Sequence, residues 1–119
     1  DKSPTGMILG HANGPRHVYE TILYAIKGNR PVNSVGPDVI RVPGPAAHKR
    51  HPAEKPVDLY SELLMRSAVP GDSILDPFCG CGPIFPAASR FQCRAFGSEL
   101  DSQYAAHARL RAASPNELL

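Results

Sequence analysis

Tryptophan is absent, and cysteine occurs only three times in 119 residues. An odd, small set (Cys79, Cys81, Cys93) does not make a secreted disulfide framework. Reduced thiols in a cytoplasmic setting are the expectation. A zinc site is equally poorly supplied. Cys79 and Cys81 have no histidine at a finger-like spacing after them, since His107 stands alone. No apolar run approaches the roughly 18 residues that a membrane-spanning helix needs, so no membrane partner is expected. No secretory leader is expected. The start, Asp1-Lys2-Ser3-Pro4, lacks an initiator Met and reads as cut from something longer. Two phosphate-binding patterns are also missing. No G-K-[ST] follows the glycine-rich stretch, and the third glycine of a GxGxxG pattern is replaced by Phe85.

What is present suits a small α/β unit. Hydrophobic residues make up 42% and charged residues 20%, ordinary values for a globular domain. The net charge of +2 hides an asymmetry. Residues 1–55 carry eight Lys/Arg against four Asp/Glu, and residues 56–119 carry five against seven. A basic front half suits contact with a polyanion such as DNA, and an ordinary solvated surface is the plainer alternative.

Residues 1–17 hold scattered glycine and proline and read as a loop or flexible segment. Residues 18–27 are rich in β-branched and aromatic side chains and end at Gly28-Asn29. They read as a strand, although the Ile22–Ile26 spacing also fits a short helix. Residues 38–42 read as a second strand, so 18–42 are expected to be a strand pair completing a sheet. The proline- and histidine-rich stretch 43–55 is a linker. From Pro56 a helix is expected, with Val57, Tyr60, Leu64 and Ala68 on one face, stopping before Pro70-Gly71. A short strand at residues 73–75 ends at Asp76. After a glycine-rich turn come a helix at 84–91, a strand at 93–98 and a last helix capped by Asp101. Tyr104, Ala105, Ala108 and Ala112 give that helix its apolar side. Residues 114–119 are a tail. Strand–helix–strand order implies parallel strands with a right-handed crossover.

The chemistry concentrates in Asp76-Pro77-Phe78-Cys79-Gly80-Cys81-Gly82 and in Glu99. The turn follows a strand and opens a helix, where open α/β sheets bind ligands. Gly80 and Gly82 permit a sharp turn and a close ligand approach. The helix start offers free N–H groups. An acidic residue at the end of the next strand can hold two ribose hydroxyls. The pattern points to a nucleoside-containing ligand with few or no phosphates. A merely structural strand–helix turn is the competing explanation for Gly80 and Gly82. A thiolate nucleophile at Cys79 or Cys81 is disfavoured by their place inside the turn.

With these residues in hand, a resemblance can be stated. His51-Pro52-Ala53-Glu54-Lys55-Pro56, the helix after it, Pro70-Gly71-Asp72 and the Asp76 to Gly82 segment resemble the C-terminal part of beta-type adenine-N6 or cytosine-N4 DNA methyltransferases. Residues 19–28 look like that family's strand before the cofactor motifs. The resemblance implies a partial Rossmann-like fold that binds S-adenosylmethionine, with DNA as partner and a restriction–modification or phage setting. It implies that Asp76, Phe78, Gly80 and Gly82 line the methionine pocket, that Glu99 binds the ribose, and that Lys55 and Pro56 belong to a segment closing over the cofactor. The family's Asp-Pro-Pro-Tyr-type catalytic motif is absent from these residues and is expected upstream of Asp1, in a missing N-terminal half. The family's Ser-Gly-Thr reads Cys81-Gly82-Pro83, and Pro86 is expected to distort the helix that follows. A non-catalytic or degenerate module that binds cofactor or nucleic acid is the main alternative, and a Rossmann oxidoreductase is a third. Exposed strand edges around residues 19–27 predict self-association with a second copy.

Overall fold

The computed structural model describes residues 19–43 and 53–114. The expected loop at 1–17, most of the linker (44–52) and the end of the tail (115–119) lie outside the described residues. The element order is α1 (Val57–Ser67), β1 (Ser73–Asp76), α2 (Ile84–Arg90), β2 (Arg94–Gly97) and α3 (Ser102–Ala113).

Helix α1 starts at Pro56, which is its N-cap in extended conformation (φ −65°, ψ 144°). Asp58 in the first turn and Arg66 in the last complement the helix dipole. The helix ends because Pro70 biases Val69 toward extended backbone, and Gly71 at φ +89° reverses the chain. Strand β1 then runs parallel to β2, with Ile74 opposite Ala95 and Leu75 opposite Phe96. The crossover between them is α2. It closes in a Schellman turn, where Gln92 N–H donates to Ser89 O (3.0 Å) and Cys93 N–H to Ala88 O (3.0 Å). That geometry puts Gln92 at φ 55°, where glycine is the usual residue.

Pro86 does not distort α2. It is the third helical residue, where no intrahelical acceptor waits for an N–H, and its ring is fully buried. Helix α3 is capped as expected, since Asp101 Oδ1 accepts from Gln103 N–H (2.8 Å) and Tyr104 N–H (3.1 Å). The core gathers Leu64, Ala68, Cys79, Ile84, Ala87, Ala88 and Ala108, with Val57, Tyr60, Ile74, Phe85 and Ala95 packed around it. All three helices thus contribute to one core on one face of the small sheet.

The strand pair expected over 18–42 is not formed among the described residues, where 19–42 holds no strand. The segment is tied to the end of α1 instead. Asn33 N–H donates to Arg66 O (2.8 Å), and Asn33 Nδ2 donates to Ala68 O (2.7 Å). Arg66 Nη1 reaches back to Pro37 O (2.7 Å), and Arg30 pairs with Asp72. A strand needs a ladder partner and a face to bury. Ile22, Leu23, Tyr24 and Ile26 are all exposed and find neither here. Val32, Val35 and Val39 are exposed as well. The chain bends at Gly28, which sits at φ +81°.

Candidate cofactor site

The C-terminal ends of the two parallel strands form one edge of the molecule, and five of the seven candidate residues meet there. Asp76 closes β1. Its Oδ1 accepts from Phe78 N–H (3.1 Å), which turns the chain sharply out of the strand. Tyr60 on α1 hydrogen-bonds the same carboxylate, and burial together with the nearby Asp76 charge pushes its hydroxyl up to about 12. Phe78 projects outward, 86% exposed.

Glu99 lies just past β2 and reaches across to the turn. Its Oε2 accepts from Gly80 N–H (2.9 Å), and its Oε1 accepts from Asp101 N–H (2.9 Å). Each oxygen has a second lone-pair site, so a carboxylate anchored this way still accepts from two further donors. The turn is also stapled by Cys79 N–H to Ser98 O (2.9 Å) and by Gly82 N–H to Cys79 O (2.8 Å).

The two glycines have different reasons to be glycine. Gly80 sits at φ +54°, and a Cβ there would meet nothing within 4 Å. It borders open space. Gly82 sits at φ +75°, and a Cβ would lie 2.7 Å from Phe85 Cδ2 and 2.9 Å from Ala108 Cα. Its missing side chain lets α3 approach the turn. Sequence reasoning treated the pair alike.

The helix start contributes less than expected. Pro83 and Pro86 have no N–H, and Phe85 N–H donates to Gly82 O (3.2 Å). Gly80 N–H is also taken, by Glu99.

Lys55 and Pro56 stand beside this edge rather than in it. Lys55 Nζ pairs with Glu20 Oε2 at 2.5 Å, and Pro56 caps α1. Their neighbour Glu54 points inward. Its Oε1 accepts from Arg111 Nη2 (2.7 Å), while Arg111 Nη1 donates to Cys81 O (3.2 Å) inside the turn. Both side chains of this pair are at least nine-tenths buried. Neither Arg111 nor Tyr60 is singled out by motif spacing. The available signal for Arg111 was its position, three residues past Ala108 on the apolar side of α3, where a charge needs a buried partner.

The cysteines are free. Burial and the adjacent Asp76 and Glu99 charges raise the Cys79 thiol, so it is not an activated nucleophile. No metal-binding cluster of His, Cys, Asp and Glu occurs among the described residues.

A parallel strand–helix–strand unit with glycine turn and strand-end acid defines a Rossmann-like nucleoside-binding class. The comparisons identify the family. A DNA methylase model of the N6/N4 type matches residues 17–110, and the chain belongs to that adenine-N6/cytosine-N4 methyltransferase family. It is 37% identical over 68 residues to the type II methyltransferase M2.DpnII of Streptococcus pneumoniae, covering 57% of this chain and 25% of that protein. It is 32% identical over 63 residues to M.HpaI of Haemophilus parainfluenzae, covering 53% and 20%. Thus the chain spans a quarter or less of these curated relatives. Among solved structures, a putative DNA modification methylase from Thermus thermophilus complexed with S-adenosyl-L-methionine matches at TM-score 0.50 and 39% identity, over 66% of this chain and 29% of that one. The M1.HpyAVI–SAM complex matches at TM-score 0.54 and 24% identity, over 64% and 40%, and supports the fold alone. The fold is the partial Rossmann-like α/β unit of S-adenosylmethionine-dependent methyltransferases.

Proposed function

We propose that this chain is the S-adenosylmethionine-binding part of a DNA amino-methyltransferase acting on adenine N6 or cytosine N4. The observation that carries the reading is Glu99, fixed by Gly80 N–H and Asp101 N–H at the mouth of the β1–α2 turn. A carboxylate so placed is ready to accept two ribose hydroxyls. Gly80 leaves open space beside it, and Phe78 offers an uncovered ring to an adenine or a base. The mouth is acidic, with Asp76 closing β1 and Glu99 two residues past the end of β2. Two carboxylates repel a pyrophosphate and attract a sulfonium or ammonium cation.

When bound, S-adenosylmethionine supplies an electrophilic methyl group. This chain's residues do the holding. Glu99 would hold the ribose, Asp76 would face the cationic end, and the Gly80 backbone would let the ligand lie close. The segment with Lys55 and Pro56 is linked to the turn through Glu54 and Arg111. The Asp-Pro-Pro-Tyr-type motif that would receive the target amine does not occur in these residues. The excess of Lys and Arg in the front half of the sequence suits the phosphate backbone. A restriction–modification or phage setting and a cytoplasmic location fit this reading.

Calorimetric titration with S-adenosylmethionine and S-adenosylhomocysteine tests it. The intact chain should bind both saturably. Glu99→Ala should weaken binding by about tenfold or more, the loss expected for hydrogen bonds to a charged acceptor. Glu99→Gln, which keeps one acceptor oxygen, should fall between. Absence of binding by a chain with native circular dichroism would reject the reading in favour of a non-catalytic module.

A further inference from the structure

We propose that Arg111 is a positioning residue, which with Glu54 sets the cofactor turn against the segment carrying Lys55 and Pro56. The inference rests on the turn being the S-adenosylmethionine site. The two segments come from different parts of the chain and share no strand. Arg111 touches both, through Nη2 to Glu54 Oε1 (2.7 Å) and Nη1 to Cys81 O (3.2 Å). Cys81 lies between the two glycines, and its carbonyl shares one peptide plane with Gly82 N–H, so a partner that holds the carbonyl also sets that plane's tilt. The same Gly82 N–H closes the turn onto Cys79 O. Glu99 holds the turn from the β2 side. Arg111 holds it from α3, and Gly82 is what allows α3 close enough, because Ala108 fills the place a Cβ would take.

Stability alone is a poor explanation for this pair. Burying a carboxylate and a guanidinium costs desolvation that their attraction rarely exceeds, and apolar replacements of like volume are often neutral or stabilising. Arg111 Nε is buried with no partner among the described residues, a further cost that packing does not offset. What a planar guanidinium does better than any apolar side chain is fix two acceptors at a defined separation.

The test separates position from stability. In the intact chain, Glu54→Leu combined with Arg111→Met should leave the melting temperature at or above the wild-type value. It should weaken S-adenosylhomocysteine binding by about tenfold, as loss of preorganisation at the turn requires. Amide NMR should show Gly80 and Gly82 shifted in that variant while α1 signals stay in place. Glu54→Gln keeps the shape and one hydrogen bond. It is the second variant, with an expected loss of about threefold and shifts at the same two glycines. Unchanged affinity in either folded variant, with wild-type binding intact, overturns the positioning role and leaves the cofactor reading standing. No binding by the wild type overturns both.

Discussion

Gly80 and Gly82 occupy the left-handed region two residues apart, yet substitution should separate them. Alanine at Gly80 meets no neighbour. It carries only the backbone strain of a positive φ, about 1–2 kcal/mol. Its Cβ would, however, stand in the open mouth. Alanine at Gly82 carries the same strain and also drives into Phe85 and the backbone of α3. Overpacking of that kind adds about 1–3 kcal/mol. Thermal or urea unfolding should therefore rank Gly82→Ala well below Gly80→Ala in stability. Cofactor titration of the folded Gly80→Ala chain should still show weakened binding. Equal destabilisation of the two variants would mean that the approach of α3 is not what Gly82 serves.

Helix α1 and strand β1 are joined at the site by the Tyr60 hydroxyl on Asp76. The hydroxyl rises from 10.0 in the unfolded chain to about 12 in the fold, so the folded state favours the neutral phenol. Its contribution is complete below pH 10 and is lost as pH climbs from 10 toward 12. Tyr60→Phe should lower stability at neutral pH by about 1 kcal/mol, the worth of one hydrogen bond. The gap to wild type should narrow across that alkaline window, measured as melting temperature against pH. A constant gap up to pH 12 would contradict the tie. This contact also shows what the sequence can and cannot disclose. The helices and strands from residue 57 onward were legible, because capping residues, prolines and apolar spacing are local signals that agree with the packing. Asp76, Gly80 and Glu99 were legible because strand, turn and strand end follow each other at short range. Tyr60, Arg111 and Glu54 were not singled out as members of the site, since their partners lie 16, 30 and 57 residues away along the chain. The strand reading of 18–27 failed for a related reason. β propensity describes a fit to a half-buried pleated surface, and among the described residues that segment has no such surface to join.

Among the described residues, the two-stranded sheet is covered on one face only. Ile74 and Ala95 point into the core, while Leu75 and Phe96, directly paired in register, are 71% and 55% exposed. Parallel sheets are almost always covered on both faces. Fully burying a leucine and a phenylalanine contributes about 1.5–3 kcal/mol each. Two free molecules that associate lose at least about 4 kcal/mol of translational and rotational freedom. A second copy docking on this patch alone would therefore bind weakly. An element of the same polypeptide would not bear that association cost. The 119-residue chain should accordingly show reversible, concentration-dependent association in sedimentation velocity, without a tight dimer. Leu75→Thr with Phe96→Thr should abolish that association and change stability by less than about 1 kcal/mol, because both side chains already face solvent. A strictly monomeric wild type at its highest soluble concentration would argue against the uncovered face as an association surface. A tight dimer that survives the double substitution would place the contact elsewhere, and the exposed residues 19–26 would then be the next surface to alter.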